Sequence, residues 1–279
     1  MLTKRRGDGD FMIGFYLKKN FCDGWDNIFF LIVPNIIVTL YAALSFFLLS
    51  VVFNFDSPFA LPLSCLAFVV LMALGMVLVM ANSENAAAIA NFQMPSLAAY
   101  FKQIPAVFFD GLRYGALLGA LIVVAFIGIP VYFSAGGVLG FALCATLIFF
   151  EAIFALALQW FIPLRALLGR GFVQTIKKCF VLFFDNASFS VFVFFFNLFL
   201  LALSFMIFCL VPGTAGVVLS GVNALRLRLY KYDWLDAHPE NKTPKLRKKI
   251  PWAALIKEDE ENLGPRGFKS FFMPWKIDN

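Results

Sequence analysis

Three long stretches of this chain contain no Lys or Arg: Gly24–Phe101, Tyr114–Leu164 and Cys179–Leu225. Each is dominated by apolar residues and is long enough for two membrane crossings, since one helix needs about 20 apolar residues. Turn-forming residues divide each stretch in two. The predicted spans are Ile28–Phe53, Leu61–Asn82, Tyr114–Phe133, Val138–Leu164, Ala187–Val211 and Ala215–Leu229. The turns Asn54–Ala60, Ser134–Gly137 and Pro212–Thr214 carry Pro, Gly or Ser and no basic residue, so they are expected outside. All basic residues then fall on the opposite face, which the positive-inside rule makes cytoplasmic. The sixth span is the weakest. Arg226 and Arg228 sit in its last turn, and Gly216, Ser220, Gly221 and Asn223 lower its hydrophobicity. If it fails to cross, five spans remain and the tail moves to the other side.

The segments before the hairpins have a different periodicity. Ile13, Leu17, Phe21 and Trp25 lie four apart, with Lys18, Lys19 and Asp23 off that stripe. Leu97, Phe101, Ile104 and Phe108 repeat the pattern, as do Phe172, Ile176, Phe180 and Phe183. This spacing is helical, and a short helix with one oily and one basic face lies in the headgroup plane. Pro105 breaks the middle copy or marks a helix start. The predicted fold is therefore all-α: a polytopic membrane helical bundle of six transmembrane helices, or five, arranged as three hairpins. An interfacial amphipathic helix precedes each hairpin.

These segments also share a motif, Lys-(Lys/Gln)-x5-aromatic-Asp-(Asn/Gly). Lys18 precedes Asp26, Lys102 precedes Asp110 and Lys177 precedes Asp185 by eight residues each. The register implies three internal repeats, about 11–83, 97–168 and 172–230. Residues 1–230 would form the bundle and 231–279 a cytoplasmic tail. Asp26, Asp110 and Asp185 are expected to cap the oily helices that follow, where a carboxylate meets free N–H groups and the positive dipole end. Lys18, Lys102 and Lys177 are expected to contact headgroups. Parallel repeats of this kind occur in transporters. The proline-x-acid-x-x-base signature of mitochondrial carriers is absent.

Composition agrees with lipid as the solvent. The chain is 61% hydrophobic and 14% charged, against about 25% charge in soluble domains. Its 37 Phe residues fill apolar volume without a polar atom. The net charge of +6 sits beside hydrophobic spans, which suits anionic headgroups and not nucleic acid. The five cysteines form no CxxC pair, and one histidine, His238, offers no zinc ligand set. Cys65, Cys144 and Cys209 fall in spans and act as small apolar residues. The first oily run follows a charged segment and is too long for a signal-peptide core, so it is expected to persist as a transmembrane helix. The expected location is the cytoplasmic (inner) membrane, multi-pass, with both termini cytoplasmic.

The run Phe15-Tyr16-Leu17-Lys18-Lys19-Asn20-Phe21, followed by Trp25-Asp26-Asn27 and a first span bearing Asn35, resembles YesL-like proteins. These are small bacterial polytopic membrane proteins with Lys-rich amphipathic segments before their helices. The likeness covers about the first 230 residues in architecture. It implies no established reaction, and an association with sugar-uptake systems. The charged tail departs from that pattern.

Chemistry-bearing residues are few. Glu151 is the one charged residue well inside a predicted span, and an intramembrane acid is a functional candidate. Asn197 lies at a similar depth, and a Glu151–Asn197 contact is expected. Glu151 would be a protonated packing residue or a proton or cation relay. Asn35, Asn197 and Asn223 suit helix-to-helix hydrogen bonds, and Gly115 and Gly119 form a close-packing face. No catalytic triad, phosphate loop or metal motif is present, so no catalytic, cofactor or metal residue is assigned and the chain reads as a non-enzyme. In the tail, Lys242–Lys249 reads as a lipid-facing or solvated cluster, and Phe268–Trp275 as a segment suited to a membrane-protein partner. The expected function is a scaffold or accessory of another membrane system. The alternative is a small-solute or ion transporter using Glu151.

Overall fold

The computed structural model describes residues 8–239 and 250–265, with side chains from residue 11 onward. The tail motifs Lys242–Lys249 and Phe268–Trp275 lie outside the described residues. Among the described residues there is no strand. The helices are α1 (Asp8–Asp26), α2 (Ile28–Phe53), α3 (Ala60–Ala81), α4 (Ser83–Ala90), α5 (Leu97–Ala135), α6 (Gly137–Leu158), α7 (Phe161–Leu168), α8 (Phe172–Asp185), α9 (Ala187–Met206), α10 (Gly213–Ala237), α11 (Trp252–Leu255) and α12 (Lys257–Leu263). Five segments are long and apolar enough to cross a membrane: Ile28–Phe53, Ala60–Ala90, Leu97–Ala135, Gly137–Leu168 and Ala187–Met206. The chain is a helical membrane bundle.

The sixth predicted span is corrected. α10 is a 25-residue helix, but it is not among the long apolar segments. Its apolar part ends at Leu225, and Arg226, Arg228 and Lys231 follow within two turns. Its first ten residues bury Ala215, Val218, Leu219 and Val222. The chain forms two compact units: Asn27–Val222, and the N-terminal segment up to Asp26 together with the chain from Asn223 onward. The expected boundary after residue 230 falls inside α10.

Within the Asn27–Val222 unit the closest packing is between α3 and α5. Gly111, Gly115 and Gly119 recur every four residues on one face of α5. A Cβ on Gly115 would come within 2.6 Å of Ala73 Cα, and one on Gly111 within 2.8 Å of Val77 Cα. The backbones therefore touch where side chains would stand, the small-residue packing expected in lipid. α5 also runs unbroken through Pro105 and Pro130. The expected interfacial helix Leu97–Phe108 and the third span are thus one helix of 39 residues.

The first and third of the expected repeats do break. α1 meets α2 at Asn27 (φ −113°, ψ 23°), and α8 meets α9 at Asn186 (φ −135°, ψ 42°). Both are Asp-Asn pairs, whereas the second copy of the sequence motif has Asp110-Gly111 and no break. Asn186 Nδ2 donates back to Leu182 O at 3.2 Å, finishing the helix behind it. An Asn side chain that bonds nearby backbone competes with helix continuation. The expected caps are corrected accordingly. Asn27 and Asn186, not Asp26 and Asp185, hold the cap positions, and neither makes a side-chain cap hydrogen bond. Asp110 lies inside α5.

The turn between α9 and α10 is held by Asn35. Its Nδ2 donates to Leu210 O at 2.8 Å and Pro212 O at 2.9 Å; its Oδ1 accepts from Ala215 N at 2.9 Å and Thr214 Oγ1 at 3.2 Å. Ser204 Oγ accepts from Gly213 N at 2.6 Å. Gly213 has φ +61°, and a Cβ there would strike the Asn35 amide. Asn35 is seven residues into α2, about 10 Å from its start. The turn therefore sits beside the beginning of α2, not level with its far end at Phe53.

Candidate functional site

The predicted intramembrane pair does not form. Asn197 Oδ1 accepts from Ser220 Oγ at 2.6 Å, joining α9 to α10. Glu151 on α6 is half-buried and has no hydrogen bond or ion pair among the described residues. Lys102 and Lys177 are exposed, while Lys18 Nζ donates to Gly264 O at 3.3 Å. Asp110 Oδ2 accepts from Arg165 Nε at 2.7 Å, tying α5 to α7.

The densest ionic chemistry lies in the unit built from α1, the second half of α10, α11 and α12. α1 presents two faces. Leu17 and Trp25 of the apolar stripe are exposed, whereas Phe15, Tyr16, Lys19, Cys22 and Asp23 are buried. The face read as wet is thus the one packed on protein. Lys19 Nζ lies 3.0 Å from Asp23 Oδ2, one turn apart, with both side chains nearly inaccessible. Asn223 Nδ2 donates to Asp23 Oδ2 at 3.0 Å and to Asn20 Oδ1 at 3.2 Å.

One turn further along α10, Arg226 Nη2 donates to Asp259 Oδ1 at 2.8 Å and Nε to Tyr230 Oη at 2.8 Å. Tyr230 Oη donates to Asp259 Oδ2 at 3.2 Å, closing a triangle. Asp259 stands in the first turn of α12, where the helix dipole favours an acid. Arg228 points elsewhere, with Nη2 3.1 Å from Met12 Sδ and the guanidinium 5.1 Å from the Trp252 ring centroid.

Burial sets the electrostatics. Desolvation raises Asp23 above the usual carboxylate range and lowers Lys19 below the usual amine range, while each partner's charge opposes the shift. Desolvation also raises Tyr230 and pushes the buried Cys179 thiol up to about 12, leaving it protonated and unreactive at neutral pH. Among the described residues no group of three His, Cys, Asp or Glu could hold a metal ion. The network can fix helices in place. It presents no activated nucleophile.

No protein-family model matches the chain, and neither a curated protein nor a solved structure matches it. The network also went unrecognised in the sequence. Its local signals are Lys19 and Asp23 at i and i+4 on α1, and Asn223, Arg226 and Tyr230 at i, i+3 and i+7 on α10, a polar stripe on a helix read as a span. Its partners Asn20 and Asp23 lie some 200 positions away, and no periodicity reveals such a pairing.

Proposed function

We propose that the chain is a multi-pass membrane scaffold or accessory subunit without catalytic chemistry of its own. The observation that carries this reading is where the polar groups go. Asn35, Tyr41, Tyr114, Asn197 and Ser220 each bond within the chain, helix to helix or helix to turn. Such bonds hold a bundle together. A cavity of about 590 Å³ between α2, α3 and α5 is walled by Phe46, Phe53, Phe68 and Phe126, which suits hydrocarbon and not a solute or ion. Basic flanks on α1, α5 and α8 suit anionic headgroups, and the resemblance to YesL-like proteins accords with a bacterial inner membrane. The network around Lys19 and Arg226 would present a rigid cytoplasmic surface to a membrane-protein partner.

The rival reading is transport through Glu151, which has a carboxylate without a protein partner. Glu151→Gln keeps shape and hydrogen-bonding capacity while removing the titratable proton. The expected outcome is a stable variant that restores a deletion strain as fully as the natural chain. The matching expectation is a membrane protein that co-purifies in fixed ratio with this chain and declines when it is deleted. A folded Glu151→Gln variant that loses pH-dependent solute uptake in proteoliposomes would replace the scaffold by the transporter.

A further inference from the structure

Arg113 stands on α5 three residues after Asp110 and just before the apolar run that begins at Tyr114. The neighbouring carboxylate is already engaged, since Asp110 is bound by Arg165. Arg113 is exposed, and no described residue gives its guanidinium a hydrogen bond or ion pair. Lys102 lies eleven residues earlier, about three turns and therefore on the same face of the helix. Local charge on this face is positive and unneutralised.

Arg113 also lines a furrow. The glycine seam draws α3 and α5 together, and beside it small or short side chains leave a cavity of about 400 Å³ lined by Val69, Ala73, Leu74, Leu112 and Ala116. Gly115 lies against Ala73 and Gly119 against Val69. The furrow thus runs beside the first turn of the apolar run, from Arg113 to Ala116. An unpaired guanidinium on a residue that lines an apolar furrow is complementary to an amphiphile with an anion next to hydrocarbon. The planar fork of Arg suits phosphate oxygens in particular.

We propose that Arg113 and the α3–α5 furrow form a site for one anionic glycerophospholipid, the phosphate on the guanidinium and an acyl chain along Val69, Ala73 and Ala116. This rests on the membrane bundle and is independent of the scaffold role. The full chain in detergent, examined by native mass spectrometry, should retain one phosphatidylglycerol about tenfold more tightly than phosphatidylcholine of the same chain length. Arg113→Gln should abolish that preference, and Lys102→Gln should leave it. Ala116→Phe, which fills the furrow and keeps the cation, should weaken both lipids. Glycerol phosphate should not compete. Equal binding of the two lipids by the natural chain, an unchanged preference in Arg113→Gln, or displacement by glycerol phosphate overturns the proposal. If Arg113→Gln gives little folded chain, undiminished phosphatidylglycerol binding by Ala116→Phe overturns it alone.

Discussion

Lys19 and Asp23 form an ion pair where ions are costly. Taking both from water costs several kcal/mol, and their attraction offsets this only with good geometry and further hydrogen bonds. Asn223 supplies one such bond to Asp23. Removing a single partner strands a buried charge, so Lys19→Met and Asp23→Leu should each destabilise the fold by about 3 kcal/mol. The double variant should recover most of that loss, and thermal melts of all four chains measure the coupling. The pair also has a pH signature. Because burial raises Asp23 above its ordinary value of 3.8, the folded chain takes up its proton before the unfolded chain does. Its stabilising contribution is complete below 3.8 and is lost as pH rises through the folded pKa. The natural chain should therefore gain stability relative to Asp23→Asn as pH falls from neutrality toward 4. A difference between the two melts that does not change with pH would refute this.

Among the helices, those with long uniform runs were legible from the chain alone. α2 and α3 begin and end within one residue of their predicted limits, because apolar length bounded by turn residues is a local property, whereas α6 ends at Leu158, short of the predicted Leu164. The Asp-Asn breaks coincide with two copies of the sequence motif, though the cap role was assigned to Asp and belongs to Asn. α1 was legible as a helix and illegible as to its buried face, since an oily stripe at the lipid surface leaves the opposite face free to meet protein. The glycine face of α5 could be read as close packing, but its partner α3 could not. That seam makes a sharp contrast possible. Gly115→Ala places a methyl against Ala73 backbone and should cost about 2 kcal/mol or more. Gly14→Ala on α1 meets nothing within 4 Å and should be neutral or stabilising by up to about 1 kcal/mol. Equal melting temperatures for the two variants would show that the seam is loose.

At the scale of the whole molecule, the count of crossings conflicts with where the ends lie. Five full crossings would place the first helix and the tail on opposite membrane faces. Yet α1, α11 and α12 belong to one compact unit, with Lys18 bonded to Gly264. An even number of crossings is the expectation this packing supports, and the Asn35 clasp offers a way for it to arise. The α9–α10 turn lies beside the start of α2, and the expected topology is one in which this hairpin enters and returns on one side while α2, α3, α5 and α6 cross. Irregular backbone at membrane depth is tolerated only where its polar groups are served by protein. Asn35 and Ser204 serve Leu210, Pro212 and Gly213 here. Position 57, in the α2–α3 turn, would be external and Cys209, in the α9–α10 turn, would not. With the other native cysteines replaced by Ala, a membrane-impermeant thiol reagent added to intact cells should label a Ser57→Cys chain and leave Cys209 untouched. A reporter active only outside the cytoplasm and fused after Ile277 should stay silent. Labelling of Cys209 from outside as fast as position 57 would restore a full α9 crossing and force α10 to span after all.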